Sequence, residues 1–278
     1  MSATSIASTR AELRGTEPAQ RSGVAKFASD TWAVMIRELM LVLRDPFSLV
    51  FSLVQPLVFL ALFAPLLGGL VGEQGIDGVS PLQWFLPGVV VMICVFGTGM
   101  TGSNLLFEMQ LGSYERILAT PLSRASIIVG RSLKEFVPLV VQALVITLAA
   151  TPFGFTLYLG HVLVGLLILG VFGIGAGALS YALAIVSRKT EWMFWAVQQS
   201  VTFPLLLLSG MMLPLETGPG WMQTVSRANP LTYIVDAERA LFAGTFSDPV
   251  ILWGALAAIA TCAVGLAVGI GAIRRAAR

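Results

Sequence analysis

The sequence predicts an all-α, polytopic membrane protein with six transmembrane helices, and three observations carry that prediction. Of its 278 residues 56% are hydrophobic and only 12% charged, with a mean hydropathy of +0.85; soluble domains carry about 25% charged residues. The formal charges leave gaps of membrane-crossing length. The basic residues fall almost entirely on one side of those gaps.

Crossing ~30 Å of hydrocarbon at about 1.5 Å per residue needs about 20 residues. Charge-free stretches of that order run from Pro46 to Gly72, Gly78 to Phe107, Trp192 to Leu215 and Pro249 to Ile273. A fifth, Phe136 to Ser187, is 52 residues long and holds the turn signal Thr151-Pro152-Phe153-Gly154, so it fits two crossings. The expected spans are about 47–71, 84–106, 127–151, 161–186, 192–213 and 250–273. Lys and Arg concentrate in cytoplasmic loops. Fifteen of the seventeen lie on the side shared by both termini, and only Arg227 and Arg239 lie on the other. Both termini are therefore expected in the cytoplasm, of a bacterial inner or other plasma membrane. The net charge of +2 does not point to nucleic acid.

In chain order, residues 1–25 are polar and lack an apolar core, so they are expected to be disordered, and they lack the apolar run of a signal peptide. Between Lys26 and Arg44 the polar residues Lys26, Asp30, Arg37 and Arg44 share one helical face and Phe27, Val34, Ile36, Leu41 and Leu43 occupy the rest. This predicts an interfacial amphipathic helix over 26–45, although a cytoplasmic extension of the first span fits the same pattern. Asp45-Pro46 marks the bend into the six-span domain, 46–278. Span one holds Pro56 and Pro65, and span two holds Pro87 and a glycine-rich middle at Gly97, Gly99 and Gly102. Such breakers are tolerated where neighbouring helices, hydroxyls or water satisfy the freed backbone groups.

The polar stretch from Phe107 to Arg131 stands out between apolar runs. Leu111, Tyr114 and Leu118 recur at i, i+3 and i+7, which predicts a short amphipathic helix stopped by Pro121, with Ser123 capping the helix after it. The segment reads as helix, elbow, helix, a lever able to receive force from a partner. Span four carries Gly165, Gly170, Gly173, Gly175 and Gly177, and span six carries Gly265 and Gly269, small-residue spacings that favour close helix contacts. Before span six, breaks at Gly218-Pro219-Gly220 and Asn229-Pro230 frame two short amphipathic helices on the outer face, able to dip back into it.

Several chemistries are excluded. No Gly-Lys pair exists among the three lysines, so the chain lacks the phosphate loop of an ATPase. His161 is the one histidine and Cys94 and Cys262 sit in apolar runs, so no metal or nucleophilic constellation is expected. The span centres carry no formal charge, which disfavours an ion-coupled carrier. Their interiors suit a hydrophobic or amphiphilic cargo. Candidates for lining its path are Phe96, Met100 and Asn104 on span two, and Gln199, Phe203 and Leu207, at i, i+4 and i+8, on span five.

Three segments in order, LATPLSRASIIVGR from Leu118, LLLSGMMLPLETGPGWMQ from Leu206 and ANPLTYIVDAERALFAG from Ala228, closely resemble type 2 ATP-binding-cassette exporter permeases, daunorubicin/doxorubicin-resistance-type subunits in particular. The resemblance covers roughly Arg37 to Arg275. It implies a permease that is no enzyme by itself and binds no cofactor. Two copies of a separate ATPase subunit would bind ATP and Mg, and a second copy of the chain, or a related permease, would complete the membrane body.

The resemblance also implies that Glu108 to Leu122 is the coupling segment. Its coupling residues would be Glu108, Leu111, Tyr114, Glu115, Arg116, Ile117, Leu118, Pro121, Leu122 and Arg124. Glu115 and Arg116 are the expected polar partner contacts, with Ile117 and Leu118 as apolar anchors. Spans one, two and five would face one another around the cargo path, and Met211, Pro214, Asn229, Pro230 and Tyr233 would shape an external gate. An ion-gradient-driven transporter and a non-transporting assembly partner are the alternatives.

Overall fold

The computed structural model describes residues 23–71, 79–212, 214–215 and 218–276. The expected disorder of residues 1–25 lies outside the described residues except for its last three, which already belong to the first helix. The described elements are helical: α1 (Gly23–Leu43), α2 (Pro46–Val71), α3 (Pro81–Gln110), α4 (Ser113–Leu118), α5 (Arg124–Lys134), α6 (Phe136–Ala150), α7 (Leu159–Val186), α8 (Glu191–Leu207), α9 (Gly220–Ser226), α10 (Pro230–Phe242) and α11 (Pro249–Ala276).

Among the described residues, five segments are long and apolar enough to cross a membrane: Leu49–Leu66, Pro81–Gln110, Arg124–Phe153, Leu159–Val186 and Pro249–Ala276. The expected fifth span, 192–213, is shorter than predicted. Its helix α8 has 17 residues and ends at Leu207, three residues after the internal Pro204, and Leu208–Gly210 turn away.

α3 and α7 form the centre. α3 begins at Ser80, whose hydroxyl accepts the Gln83 N–H, with Pro81 in the first turn, where its missing N–H costs nothing. From Gln83 to Val95 its side chains are buried without interruption. α7 packs against α3 on one side and α11 on the other, and glycines set the approach. A Cβ on Gly265 would lie 2.1 Å from the Gly175 carbonyl oxygen, and one on Gly175 would lie 2.5 Å from the Cys262 Cα. The glycine spacing legible in the sequence thus marks backbone contact. α2 stands apart, only 6% of its span buried. It is held to α3 by a ladder of stacked rings, Phe59 on Phe63 at 5.5 Å and Phe63 on Phe85 at 5.7 Å.

The third span is kinked. α5 stops at Lys134 and α6 starts at Phe136, because Pro138 has no N–H to donate to the Lys134 carbonyl four residues earlier. The turn expected at Thr151–Gly154 is a 3-10 turn closed by Gly154 at φ +94°, a backbone region glycine enters freely.

Two apolar cores result. The larger fills the middle and outer part, from Trp84 and Phe85 to Leu241 and Phe242. The smaller lies at the end where α4 sits and gathers Val34, Leu105, Tyr114, Ile117, Ile128, Tyr181, Phe194 and Ile273 from seven helices.

Candidate coupling surface and outer closure

The expected helix through Leu111, Tyr114 and Leu118 is interrupted: Gly112 adopts φ +68° and breaks α3 from α4, so Glu108 belongs to α3 and Leu111 caps its end. Only Ser113–Leu118 forms the short helix. Leu118 is its last residue, ahead of Pro121, and the Ser123 hydroxyl accepts the Ser126 N–H to start α5, as the sequence predicts.

Tyr114 and Ile117 point into the smaller core, where burial pushes the Tyr114 phenol above its ordinary value. Ile117 is therefore unavailable as an apolar anchor for a partner; at helical spacing it falls on the inward face beside Tyr114. Leu111 (66% exposed), Glu115, Arg116, Pro121 and Arg124 face outward, with Leu118 and Leu122 half-buried at the rim. Glu115 and Leu118 also edge a hollow of about 380 Å³ that includes Arg188 and Lys189.

Behind this surface lies an ionic junction. Arg131, 2% exposed, reaches Glu38 of α1 at 3.1 Å and donates a hydrogen bond to Glu108 of α3. The Glu38 contact is an ion pair without hydrogen-bond alignment, and Arg131 Nε has no acceptor, so the junction is only partly satisfied. α1 comes close enough because Gly130 has no side chain: a Cβ there would lie 2.6 Å from the Thr31 carbonyl oxygen. α1 buries Thr31, Val34 and Glu38 and leaves Trp32, Met40 and Leu41 exposed. Its amphipathic character was legible in the sequence. That its buried face would carry a carboxylate was not, since Glu38 is understood only once Arg131 stands opposite.

The two sets of candidate path residues part company. Phe96, Met100 and Asn104 line a cavity of about 510 Å³ between α2, α3 and α6, and that lining holds no residue of α8. Gln199, Phe203 and Leu207 share the exposed side of α8, whereas Gln198 turns to α3, its Nε2 2.5 Å from where a Gly99 Cβ would sit.

At the end opposite α4, α10 is buried, with Leu231, Ile234, Val235, Leu241 and Phe242 packed against α3, α7 and α11. Asn229 accepts the Leu231 N–H and donates to the Leu205 carbonyl at 2.7 Å, and Thr232 donates to the Leu208 carbonyl at 3.1 Å. The start of α10 thereby satisfies carbonyls that the end of α8 leaves open. Pro230 opens α10, and the Tyr233 hydroxyl donates to the Arg227 carbonyl at 2.7 Å. Met211 is buried and Pro214 edges an outer hollow of about 510 Å³.

Two further residues hold this end. Arg239 lies over the Trp84 ring at 3.7 Å and donates to the Gly210 and Met211 carbonyls at 2.7 and 3.3 Å. Gln83 donates to the carbonyls of Phe242 at 2.6 Å and Thr156 at 3.1 Å. Arg239 carried a sequence signal, as one of the two basic residues set apart from the other fifteen; Gln83 carried none. Glu238, beside Arg239, is fully buried with neither oxygen hydrogen-bonded, and a Cβ on Gly165 would lie 2.3 Å from it. Among the described residues no cluster of three or more His, Cys, Asp or Glu is placed to hold a metal ion.

The family model of the ABC-2 type transporter matches residues 29–243, which takes in most of α1, the candidate coupling surface and α10. The daunorubicin resistance ABC transporter permease protein DrrB1 of Streptomyces coeruleorubidus is 30% identical over 83% of this chain and 80% of its own length. A putative transport permease, ycf38, of Cyanophora paradoxa is 30% identical over 75% of the chain and 73% of its own length. A probable doxorubicin resistance ABC transporter permease protein, DrrC, of Mycobacterium tuberculosis is 25% identical over 92% of each. The chain therefore belongs to the ABC-2 type transporter family, as a transmembrane permease subunit of an ABC exporter.

Proposed function

We propose that this permease moves a hydrophobic or amphiphilic molecule outward across the plasma membrane, driven by separate ATP-binding subunits, two copies of which dock on α4 and its surroundings. ATP and Mg belong to those subunits. The reading rests on one observation above the rest. α4 keeps Tyr114 and Ile117 in a core shared by seven helices while Glu115 and Arg116 stay exposed, so a push on its outer face is delivered to the bundle rather than absorbed locally.

α8 supplies the sixth crossing. At 17 residues it reaches roughly 26 Å, and both termini then lie in the cytoplasm, in agreement with the basic-residue distribution. The exposed faces of α2 and α8 suit a second copy, or a related permease, across a shared path. Closure of the ATPase pair would tilt α4 and α5 as a rigid unit with α1 and part the helices lining that path. The relatives named for daunorubicin and doxorubicin resistance support a drug-like cargo.

The test is purification of the tagged chain from its native membrane. An ATP-binding-cassette subunit should accompany the wild type and be lost from the Glu115→Lys/Arg116→Glu variant. Repeated purification of the wild type without any ATPase would overturn the reading.

A further inference from the structure

The lining of the cavity between α2, α3 and α6 mixes polar and apolar side chains. It includes the kink at Lys134 and Glu135, where Lys134 Nζ lies 3.3 Å from Glu135 Oε1 and the Tyr181 hydroxyl donates to the same oxygen at 3.1 Å. Asn104 of α3 lines the same cavity, as does Gln142 of α6, which donates to the Ser52 hydroxyl of α2 at 2.8 Å. Phe96 and Phe51 line the same space. A second hollow of about 260 Å³, between α1, α2 and α6, shares Val42, Leu49, Pro138 and Gln142 with the first. Apart from Gln142 its lining is wholly aliphatic, with Leu53, Val141 and Val145 among its walls.

We infer that this pair of hollows is a lateral intake site for a membrane-dissolved amphiphile whose head group is uncharged and rich in hydroxyls, its tail lying in the aliphatic groove. The inference rests on the exporter reading and narrows its cargo class. An ion pair withdrawn from water gives little net stability, since desolvation offsets its attraction. A pair that nonetheless faces a cavity is there to meet something.

The pair has no net charge. A charged head would meet one partner of like sign for each of opposite sign, within 3.3 Å. Hydroxyls, by contrast, both donate and accept. They can give to the Glu135 carboxylate, accept from the Lys134 ammonium, and do either with the Asn104 and Gln142 amides. Plain bilayer lipid would occupy the aliphatic groove and leave those groups unused. The combined size falls within the ~300–1,000 Å³ range of small-molecule sites.

The experiment uses the full chain in lipid nanodiscs and an octyl β-glucoside bearing a diazirine at its tail end, photolysed and mapped by peptide mass spectrometry. Labelling should fall on α2 around Leu49–Leu53 and on α6 around Val137–Val145. Unlabelled octyl glucoside should compete at concentrations about tenfold below octyl phosphate, octyltrimethylammonium or octanol, which is ~1.4 kcal/mol. Asn104→Leu, at an exposed position, and Gln142→Leu should each weaken the glucoside several-fold and leave octanol unchanged.

Equal competition by all four compounds, preference for the phosphate or the ammonium, or labelling outside these segments would overturn the inference. Labelling requires neither ATP nor a partner, so the two readings fail separately. Mapped labelling without a co-purifying ATPase sinks the exporter alone, and an ATPase that co-purifies with a chain that is not labelled here sinks the intake site alone.

Discussion

The Arg131 guanidinium on α5 and the Glu38 carboxylate on α1 meet 3.1 Å apart inside the protein, with Glu108 of α3 on the same guanidinium nitrogen. One cation thus joins α1, the central helix α3 and α5, the helix that follows the candidate coupling surface. Because the junction is incompletely hydrogen-bonded, its effect is to fix which surfaces meet more than to add stability. Removing the shared cation leaves the buried Glu38 carboxylate uncompensated. Arg131→Met should therefore destabilise by about 3 kcal/mol, read as a fall in thermal midpoint in nanodiscs. The Glu38→Leu/Arg131→Met pair should recover most of that loss. A single variant as stable as wild type would show that the junction carries no such strain.

The inward and outward residues of the coupling surface should separate cleanly. Ile117→Ala removes buried volume and should cost about 2–4 kcal/mol, weakening the fold and every activity together. Leu111→Ser removes an exposed side chain and should leave the thermal midpoint unchanged while lowering affinity for the ATPase subunit. Midpoint and ATPase binding measured on the same preparations decide it. If Leu111→Ser destabilised as much as Ile117→Ala, the outward face would not be a free docking surface.

What was legible in the sequence follows from which interactions are local. The turn at Thr151–Gly154, the Ser123 cap and the stop before Pro121 are written in neighbouring residues, and the structure has all three. The break at Gly112 was missed because the apolar spacing runs across it, and only the left-handed backbone there ends α3. The inward turn of Ile117 and the pairing of Glu38 with Arg131 are long-range facts. A helix pattern says that a face is apolar or polar, but not which face finds a neighbour. α8 came out shorter than its charge-free stretch because charge gaps measure where water is avoided, while Pro204 and the carbonyls taken up by Asn229 and Thr232 set where the helix stops.

The contact between α7 and α11 gives a sharper test of the glycine reading. A Cβ on Gly265 meets the Gly175 carbonyl oxygen at 2.1 Å and its α-carbon at 2.9 Å, and backbone cannot rotate aside as a side chain can. Gly265→Ala should force the helices apart at a cost of about 1–3 kcal/mol. On the same helix Gly271 has nothing within 4 Å of its hypothetical Cβ. Gly271→Ala should be neutral or stabilising by up to about 1 kcal/mol through helix propensity. Thermal midpoints of the two variants in one lipid composition are the measurement. Equal effects would mean that the tight α7–α11 approach is absent in the membrane.

Glu238 should make the seating of α10 depend on pH. It lies on α10, outside the five segments long and apolar enough to span and outside α8, fully buried, and burial raises its carboxyl from an ordinary value of 4.5 to about 8. Cys94 of α3 lies within electrostatic reach and offers no positive charge, while Asp236 and Arg239 line the outer hollow. Below pH 4.5 the acid is protonated whether α10 is seated or not, and the full stability is present. Between there and about 8 the unseated chain releases its proton while the seated one keeps it, so stability falls as pH rises and then levels off. The loss across that window is on the order of a few kcal/mol. Hydrogen exchange of the α10 amides should accelerate from pH about 5 to about 8, after correction for intrinsic exchange. Glu238→Gln, neutral at every pH, should abolish that slope. A slope retained in this variant would place the pH dependence elsewhere and leave Glu238 as an uncharged packing element beside Gly165.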